Sequence, residues 1–340
     1  MLDTAGRCWS PGLRVTSGPR SRSAAGRPRS DRPQLADRYR LLEQVGRGGV
    51  AVVWRGHDER LDREVGIKQI PRQQREPAGV DPLAEARLAA RVRHPNVAAV
   101  HDVIEQDRSC WLVLDYVPGR TLGQLLRDRG PLAPDVAAGL GCQVLAALQA
   151  VHAAGIVHCD VKPANLLVGD DGRVVLVDFG IAWAGGDRPT GTSFDTEGDA
   201  DSRAGPDLVV GTPAFIAPEL ARGERPRPAA DLWSLGATLY CAVEGRPPFA
   251  VGEPASTLAA VLHDPPARSR RAGPLQPLLE RLLVKDPAAR PWYEEIAGLL
   301  AAARGSGPRN RPGTGPARVP TTDSDPDATL PAPGWHTGMP

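Results

Sequence analysis

One change of pattern along the chain limits its fold more than any other feature. Before Pro118-Gly119 the sequence consists of short apolar runs broken by glycines and charged pairs, which is typical of antiparallel strands, with one helical segment at 82–93. After it, apolar residues recur at helical spacing, and two short strands at 166–168 and 173–177 interrupt the helices. The predicted helices span 121–128, 134–153, 229–244, 255–263, 274–284 and 292–303. This order predicts an α+β protein with a small β-rich lobe, a larger helical lobe and a ligand-binding cleft between them.

Segments without apolar periodicity flank this folded part. Residues 1–37 are rich in Arg, Ser, Pro and Gly, and residues 304–340 in Pro, Gly, Thr and Asp. Such compositions bury too little apolar surface to offset the entropy of ordering the chain, so both are predicted to be disordered tails. The first tail also fits a translation start assigned too far upstream. The domain between them is expected at 38–303, with its lobes at 38–117 and 118–303.

Composition narrows the classes of function. The net charge of +1 gives no reason to expect nucleic-acid or anionic-membrane binding. The 5 cysteines are widely spaced without a CxxC pair, which argues against a zinc ribbon or a disulfide framework and suits a reducing cytoplasm.

The start of the chain lacks the apolar region of a signal peptide. The most apolar window, 136–157, contains Gln143, Gln149 and His152, so it predicts a buried core helix and no membrane span.

Lysine is almost absent from the sequence. Of the 41 basic residues only Lys68, Lys162 and Lys285 are lysines. Where arginine has replaced lysine nearly everywhere, a remaining lysine marks a position that needs a compact ammonium, unless the three survive by chance. Lys68 and Lys162 fall beside the motifs described next, whereas Lys285 is predicted to be a solvated surface residue.

The segment GIVHCDVKPANLLV, residues 155–168, concentrates polar side chains between aliphatic ones. A thiol or metal site would use His158 and Cys159, but neighbouring side chains on an extended segment point in opposite directions and no other Cys or His cluster completes a site. The alternative chemistry uses Asp160 to accept a hydroxyl proton, Lys162 to stabilise a transferring phosphoryl group and Asn165 to bind a divalent metal. A polar loop without any chemistry is the third interpretation.

Three further features fit phosphate chemistry. Asp178 in VDFG follows an apolar strand and offers a hard carboxylate for Mg²⁺ that is shared with nucleotide phosphates. The segment VGRGGVAVVW supplies a turn between strands that contains Gly46, Gly48 and Gly49. Backbone N–H groups in such a turn can approach phosphate oxygens, although a glycine-rich hairpin turn is the commoner meaning. Lys68 lies on the next strand and could hold phosphates if Glu85 positions it.

In order and spacing, these motifs resemble those of the eukaryotic-like (Hanks-type) serine/threonine protein kinases of bacteria. The resemblance covers about residues 39–303 and includes GRGGVAVV, the strand lysine, HPN, LVLDYVPG, DVKPAN, DFG, GTPAFIAPE, DLWSLG and DPAARP. It implies the two-lobed protein kinase fold, ATP with Mg²⁺ or Mn²⁺, and protein substrates phosphorylated on Ser or Thr. It also implies autophosphorylation, which a homodimer would allow between two molecules. The cysteine usage and the lack of a predicted membrane span favour a cytoplasmic location.

The resemblance gives the catalytic positions their roles. Asp160 would be the catalytic base, Lys162 would stabilise the γ-phosphoryl group, and Asn165 and Asp178 would hold the metal. Thr212, together with Lys162, indicates the serine/threonine class. The activation segment would end at a buried ion pair formed by Glu219 and Arg290.

The resemblance also implies a nucleotide site in the smaller lobe. Lys68, paired with Glu85, would bind the α- and β-phosphates under the glycine turn. Four residues would enclose the adenine: Val45, Val53, Gly66 and Leu167. Leu114 would lie behind the adenine, and the connector between the lobes would offer backbone hydrogen bonds at Asp115 and Val117.

Three positions depart from the family pattern. Ala51 replaces the last glycine of the loop, which could stiffen it, and Gly66 replaces the alanine above the adenine, which would weaken nucleotide packing slightly. Cys159 replaces the arginine that, in the family, binds a phosphate on the activation segment. Because a cysteine cannot do this, activity is predicted not to depend on a phosphate beside Asp160.

The activation segment, 178–219, contains an insertion at about 184–207 that is rich in Gly, Asp, Thr and Ser. Its candidate autophosphorylation sites are Thr190, Thr192, Ser193, Thr196 and Ser202, and a merely disordered loop is the alternative for each. For the whole chain, the main alternative is a pseudokinase that acts as a nucleotide-binding scaffold. A small-molecule phosphotransferase of related fold is a weaker one, because GTPAFIAPE argues against it.

Overall fold

The N-terminal lobe is built on one antiparallel sheet of six strands. The computed structural model describes residues 34–47, 51–71, 89–107, 109–178, 213–249 and 252–305. The strands are β1 (Gln34–Leu35), β2 (Tyr39–Arg47), β3 (Val52–Asp58), β4 (Arg63–Pro71), β5 (Val100–Gln106) and β6 (Ser109–Asp115), in the order β1-β2-β3-β4-β6-β5. One face packs into a small core of Leu35, Tyr39, Leu41, Val65, Ile67, Trp111 and Val113. The strands coincide with the predicted apolar runs, because alternate side chains of each run need burial.

The folded part begins before the predicted boundary at residue 38. Gln34 and Leu35 pair with Arg40 and Tyr39 of β2, and Leu35 is 2% exposed. The predicted tail is therefore wrong for residues 34–37. Burial of a leucine side chain stabilises the fold by about 2 kcal/mol. The sequence did not indicate it, because a single apolar residue among polar ones shows no strand or helix periodicity. Residues 1–33 lie outside the described part of the chain.

The C-terminal lobe is mainly helical. Its helices are α1 (Leu122–Arg129), α2 (Pro134–Ala153), α3 (Pro218–Ala221), α4 (Pro228–Glu244), α5 (Pro254–His263), α6 (Gln276–Leu282) and α7 (Tyr293–Gly305). It also contains a three-stranded antiparallel sheet of β7 (Gly119–Thr121), β8 (Leu166–Gly169) and β9 (Val174–Leu176). The change from strands to helices thus falls close to Pro118-Gly119, where the sequence pattern changes.

Most helix bounds agree closely with the prediction. The predicted helix 274–284 is divided, because a 3-10 turn at Gly273–Leu275 precedes α6. The short α3 was not predicted, since four residues cannot show a helical period. The last helix runs to Gly305, beyond the expected domain end at 303, and the helix predicted at 82–93 lies largely outside the described residues.

Helix α4 is the centre of the larger lobe. It is buried continuously from Ala230 to Val243, as expected of a helix that is surrounded by protein. Helix α2 packs against α4 and α7. By length and composition alone α2 could cross a membrane, but 56% of its most apolar window is buried inside the protein. This helix corresponds to the core helix that the sequence predicts.

Candidate active site

The register of the large sheet brings predicted nucleotide-binding residues onto one face. Gly46, Val53 and Lys68 are direct cross-strand neighbours on β2, β3 and β4. Gly66 lies two residues before Lys68, hence on the same face, and pairs with Leu114 of β6. The apolar core occupies the opposite face, so this face is the one that a ligand can approach.

The connector after β6 is fixed by polar contacts to β5. The Asp115 N–H donates to the Ala99 carbonyl at 3.0 Å, and its carboxylate accepts the Ala99 N–H at 3.1 Å and lies 2.6 Å from His101 Nε2. A Cβ atom on Gly66 would lie 3.2 Å from the Asp115 carbonyl oxygen. Glycine at this position therefore lets β4 approach the connector more closely than alanine would.

A small apolar cluster lies beside the connector. Its buried members are Ala98, Val117 and Val175, and Leu167 packs against them. Val117 comes from the connector and Leu167 from β8, so the cluster unites two residues that the sequence assigns to the adenine site. Val45, also assigned there, is 48% exposed at the end of β2.

Asp160, Lys162 and Asn165 form one hydrogen-bonded cluster. Lys162 Nζ lies 2.8 Å from Asp160 Oδ1. Asn165 Nδ2 donates to Asp160 Oδ2 at 2.7 Å and to the Asp160 backbone carbonyl at 2.8 Å. The 3-10 turn Pro163–Asn165 folds the chain back and so makes these contacts possible. The cluster fixes the orientation of the Asp160 carboxylate.

Asp178 connects this cluster to the smaller lobe. Lys68 Nζ lies 2.9 Å from Asp178 Oδ1. The Val177 N–H donates to the Asn165 carbonyl at 3.0 Å, which holds Asn165 next to the segment of Asp178. Asp178 has a φ of 53°, in the left-handed region, where the surrounding structure must stabilise a residue other than glycine. The sheet face and the Asp160 cluster thus belong to one site.

A buried carboxylate on α4 supports the loop before Asp160. Asp231 Oδ2 accepts the His158 N–H and Oδ1 accepts the Cys159 N–H, each at 2.8 Å. Asp231 Oδ2 also lies 2.6 Å from His152 Nε2, and His152 Nδ1 hydrogen-bonds to the Tyr293 hydroxyl of α7. Asp231 belongs to the DLWSLG motif, which by itself does not reveal this supporting role. The available signal was the carboxylate of Asp231 in the apolar part of the helix, since a buried charge requires partners.

His158 has the structural position that the sequence predicts. It is fully buried, its Nδ1 accepts the Asp160 N–H at 3.3 Å and its Nε2 lies 3.3 Å from the Val177 carbonyl. Burial lowers the pKa of His158 below its ordinary value, so the imidazole is neutral at pH 7. It therefore links the backbone at Asp160 to the backbone before Asp178.

Cys159 contributes its backbone to the site. Its φ of 62° lies in the left-handed region, and its thiol lies 3.6 Å from the Val157 carbonyl oxygen. In the part of the chain that the structure describes, no group of three His, Cys, Asp or Glu side chains could hold a metal ion. A metal site built on the His158–Cys159 pair thus finds no support.

The predicted ion pair of Glu219 and Arg290 is present and buried. Arg290 Nη1 and Nη2 donate to the two Glu219 carboxylate oxygens at 2.6 and 2.8 Å. The remaining Arg290 N–H groups donate to the carbonyls of Ala229, Val284 and Lys285. Because every donor is used, the guanidinium is fully compensated in the interior.

Lys285 is not the solvated residue that the sequence predicts. Its Nζ donates to the carbonyls of Ala260 at 3.3 Å and Val261 at 2.5 Å, at the C-terminal end of α5. The ammonium also lies 4.2 Å from the Phe249 ring centroid and 5.1 Å from that of Trp233. Burial lowers the pKa of Lys285 to about 8. The prediction failed because its aromatic and carbonyl partners are distant in sequence.

Several predicted site residues lie outside the described residues. These are Gly48, Gly49, Glu85, Thr212 and the candidate phosphorylation sites Thr190, Thr192, Ser193, Thr196 and Ser202.

The donor set beside Asp160 fits a divalent cation that shares its ligands with phosphates. Asn165 Nδ2 makes its two hydrogen bonds to Asp160, which leaves the amide oxygen as the atom that can meet a cation. Asp178 adds a carboxylate. Oxygen donors without Cys or His suit Mg²⁺, and a set this small suits a cation that phosphate oxygens also hold.

Comparison with known proteins identifies the class. A family model described as a protein kinase domain matches residues 39–298. Serine/threonine-protein kinase PknA of Mycobacterium tuberculosis is 36% identical over 305 residues, covering 84% of this chain and 68% of PknA. PkaA of Streptomyces coelicolor is 35% identical over 291 residues, covering 80% of this chain and 51% of PkaA. PknB of Mycolicibacterium smegmatis is 35% identical over 280 residues, covering 78% of this chain and 42% of PknB.

The chain therefore belongs to the protein kinase family, whose two-lobed fold it has. Within the family it is a serine/threonine kinase of the bacterial Hanks type. Use of ATP and a divalent metal is general in this family.

Proposed function

We propose that this kinase transfers the γ-phosphoryl group of ATP to serine or threonine hydroxyls of protein substrates, with Asp160 as the catalytic base. The observation that carries the proposal is the contact of Lys68 with Asp178 at 2.9 Å. It joins the nucleotide face of the sheet to the cluster around Asp160. Charged groups from both lobes converge there, as transfer between a nucleotide and a hydroxyl requires.

In the reaction, the substrate oxygen forms a bond to the γ-phosphorus while the bond from that phosphorus to the β–γ bridging oxygen breaks, and ADP leaves. Asp160 orients the hydroxyl and takes up its proton. Asn165 keeps the Asp160 carboxylate in place through its hydrogen bond at 2.7 Å. Lys162, 2.8 Å from the same carboxylate, stabilises the negative charge of the transferred group.

Lys68 and Asp178 exchange partners when the nucleotide binds. The α- and β-phosphates offer the Lys68 ammonium new anionic oxygens, which leaves the Asp178 carboxylate available. Asn165 and Asp178 would hold a Mg²⁺ or Mn²⁺ ion, which neutralises charge on the phosphates. The adenine would lie against Val45, Val53, Gly66 and Leu167, with Leu114 behind it. The connector backbone at Asp115 and Val117 would donate and accept the hydrogen bonds.

The absence of an arginine before Asp160 supports a second part of the proposal, that activity does not require a phosphate beside the base. At this position the backbone of Cys159 is held by Asp231 at 2.8 Å, a contact that involves no residue of the activation segment. Autophosphorylation of that segment in trans, a homodimer and a cytoplasmic location stay predictions.

The test is transfer of label from [γ-³²P]ATP to a protein substrate by the phosphatase-treated full chain, with Mg²⁺ and with Mn²⁺. Wild type is compared with Lys68→Ala and Asp160→Asn. Asp170→Asn removes a carboxylate from the exposed turn between β8 and β9 and serves as the matched control. We expect label with wild type and the control only. Equal incorporation in all variants, or none in wild type, would favour the pseudokinase alternative.

A further inference from the structure

A basic cavity lies apart from the active site. It has a volume of about 520 Å³ and is lined by Arg246, Arg268, Ser269 and Arg270. Arg246 follows the end of α4, and the other three belong to the loop between α5 and α6. None of them takes part in the contacts around Asp160. We call this cavity the arginine pocket.

The two loops that form the arginine pocket are fixed against each other. Glu244 Oε1, at the end of α4, accepts the Ser269 hydroxyl at 2.8 Å and the N–H groups of Arg270 at 2.8 Å and Arg271 at 2.6 Å. The Ala267 N–H donates to the Pro248 carbonyl at 2.9 Å. The backbone that carries the arginines is therefore preorganised, so a ligand need not order it.

Among the described residues, the charge of the pocket is compensated only in part, by the carboxylate of Glu244 near Arg246. Among the described residues, none of the three lining arginines forms an ion pair with a carboxylate. The nearby carboxylate of Glu244 is occupied by the hydroxyl and backbone donors of the second loop. Although burial acts to raise the pKa of Glu244, these hydrogen bonds and the charge of Arg246 lower it, so the group stays ionised at neutral pH. Three exposed arginines at one cavity favour the binding of an anion of high charge.

We propose that the arginine pocket binds the phosphoryl group of a phosphorylated serine or threonine, and that its occupant is the phosphorylated insertion of this kinase's own activation segment, residues 184–207. A phosphate ester carries nearly two charges and three acceptor oxygens, which match the paired N–H groups of arginine. The insertion also has an excess of negative charge that complements a basic surface, because it contains two basic residues, Arg188 and Arg203, and six acidic ones, Asp187, Asp195, Glu197, Asp199, Asp201 and Asp207. The proposal rests on the proposed function, because that activity supplies the phosphate.

A nucleic acid is a poorer match for this pocket. Nucleic acids are bound by basic surfaces that extend along a backbone of regularly spaced phosphates. The chain has a net charge of only +1, and the three arginines of the pocket lie around one cavity. A single phosphate ester flanked by acidic residues fits such a cavity better.

The experiment measures binding of a labelled peptide of residues 187–201, with and without phosphate on Thr192, by fluorescence anisotropy. The full chain is phosphatase-treated and no nucleotide is added. We expect the phosphorylated peptide to bind at least tenfold more tightly than the unphosphorylated one, and the double variant Arg268→Gln/Arg270→Gln to lose that advantage. The control, Arg127→Gln/Arg129→Gln, removes the same charge from the exposed end of α1. This variant should still bind the phosphorylated peptide more tightly than the unphosphorylated one.

Each other outcome counts against the proposed site, against its proposed occupant or against both. Equal binding of the two peptides, or a phosphate effect that survives in the Arg268/Arg270 variant, would overturn the site. Equal binding of an unrelated phosphopeptide would support the site and overturn its occupant. Loss of RNA or anionic-vesicle binding in that variant, with no phosphopeptide effect, would assign the pocket to another ligand. Lys68→Ala should abolish phosphotransfer and keep peptide binding, which separates a failure of this proposal from a failure of the proposed function.

Discussion

Single residues outside the recognised motifs determine how the catalytic loop is held. The backbone N–H groups just before Asp160 donate hydrogen bonds to Asp231. Asp231 is also hydrogen-bonded to His152, and His152 is hydrogen-bonded to Tyr293. These contacts connect α2, α4 and α7 to one loop. A substitution at Tyr293 therefore acts on the site through two intermediate side chains.

Tyr293→Phe and Tyr240→Phe each remove one phenolic hydroxyl, but their effects on the free energy of unfolding should differ. The first deletes the partner of His152 Nδ1, so the free energy of unfolding should fall by about 1 kcal/mol. The Tyr240 hydroxyl is buried without a hydrogen-bond partner in the described part of the chain, so its loss should leave stability unchanged or raise it. Urea denaturation at pH 7 measures both, and an equal loss in the two variants would contradict this account.

Gly66→Ala tests the close approach of β4 to the connector. The added Cβ would lie 3.2 Å from the Asp115 carbonyl oxygen, so the connector must shift by a few tenths of an ångström. We expect the KM for ATP to rise by about threefold, roughly 0.6 kcal/mol, with kcat nearly unchanged. Steady-state kinetics at varied ATP decides this, and a lower KM would show instead that the missing methyl weakens nucleotide packing.

At the scale of elements, Lys285 caps the C-terminal end of α5. Its ammonium meets the carbonyls of Ala260 and Val261, which have few partners at a helix end, and it lies against the Phe249 ring. A planar guanidinium would not fit these carbonyls and the ring in the same way. The position thus gives a physical reason for a lysine in a chain whose other basic residues are nearly all arginine.

This cap should make stability depend on pH in the alkaline range. Folded Lys285 has its pKa lowered by burial to about 8, against 10.5 for the ordinary side chain, so between these values the unfolded state binds more protons. The free energy of unfolding of wild type, relative to Lys285→Met, should therefore rise between pH 8 and 10.5. The rise should be on the order of 1 kcal/mol, since solvent screens part of the shift. Urea midpoints of both proteins at three pH values measure it, and a flat or falling difference would refute it.

The Glu219–Arg290 pair ties α3 to the segment before α7. Glu219→Gln removes the charge that compensates a buried guanidinium, so we expect a loss of about 3–5 kcal/mol in the free energy of unfolding. Asp128→Asn, at an exposed ion pair with Arg120, is the comparison and should cost less than about 1 kcal/mol. Thermal and urea unfolding measure both variants. Equal losses in their free energies of unfolding would contradict a stabilising role for the Glu219–Arg290 pair.

For the whole molecule, the order and type of elements could be predicted from the sequence, because strand and helix periods are local. The residues proposed for catalysis and metal binding, Asp160, Lys162, Asn165 and Asp178, could be selected as well, because short motifs carry them. The support from Asp231 and Tyr293 and the burial of Lys285 could not, because these depend on contacts between segments far apart in the chain. Leu35 was missed for the same reason.

The activation segment should not control activity through a phosphate beside Asp160. Replacing Thr190, Thr192, Ser193, Thr196 and Ser202 together by Ala should leave kcat within about threefold of wild type, because Cys159 offers no guanidinium to such a phosphate. Phosphatase treatment of wild type is the parallel control. A collapse of activity that acidic substitutions restore would show that the segment does gate the enzyme.

The most direct test of the account is a single-turnover measurement on Asp160→Asn with saturating MgATP and a serine- or threonine-containing protein substrate. In the proposed mechanism Asp160 takes up the hydroxyl proton and does not bind the nucleotide, so transfer should slow by about 100-fold or more, while the Kd for ATP stays within about threefold of wild type. Transfer at nearly the wild-type rate in this variant would contradict the assignment of Asp160 as the base.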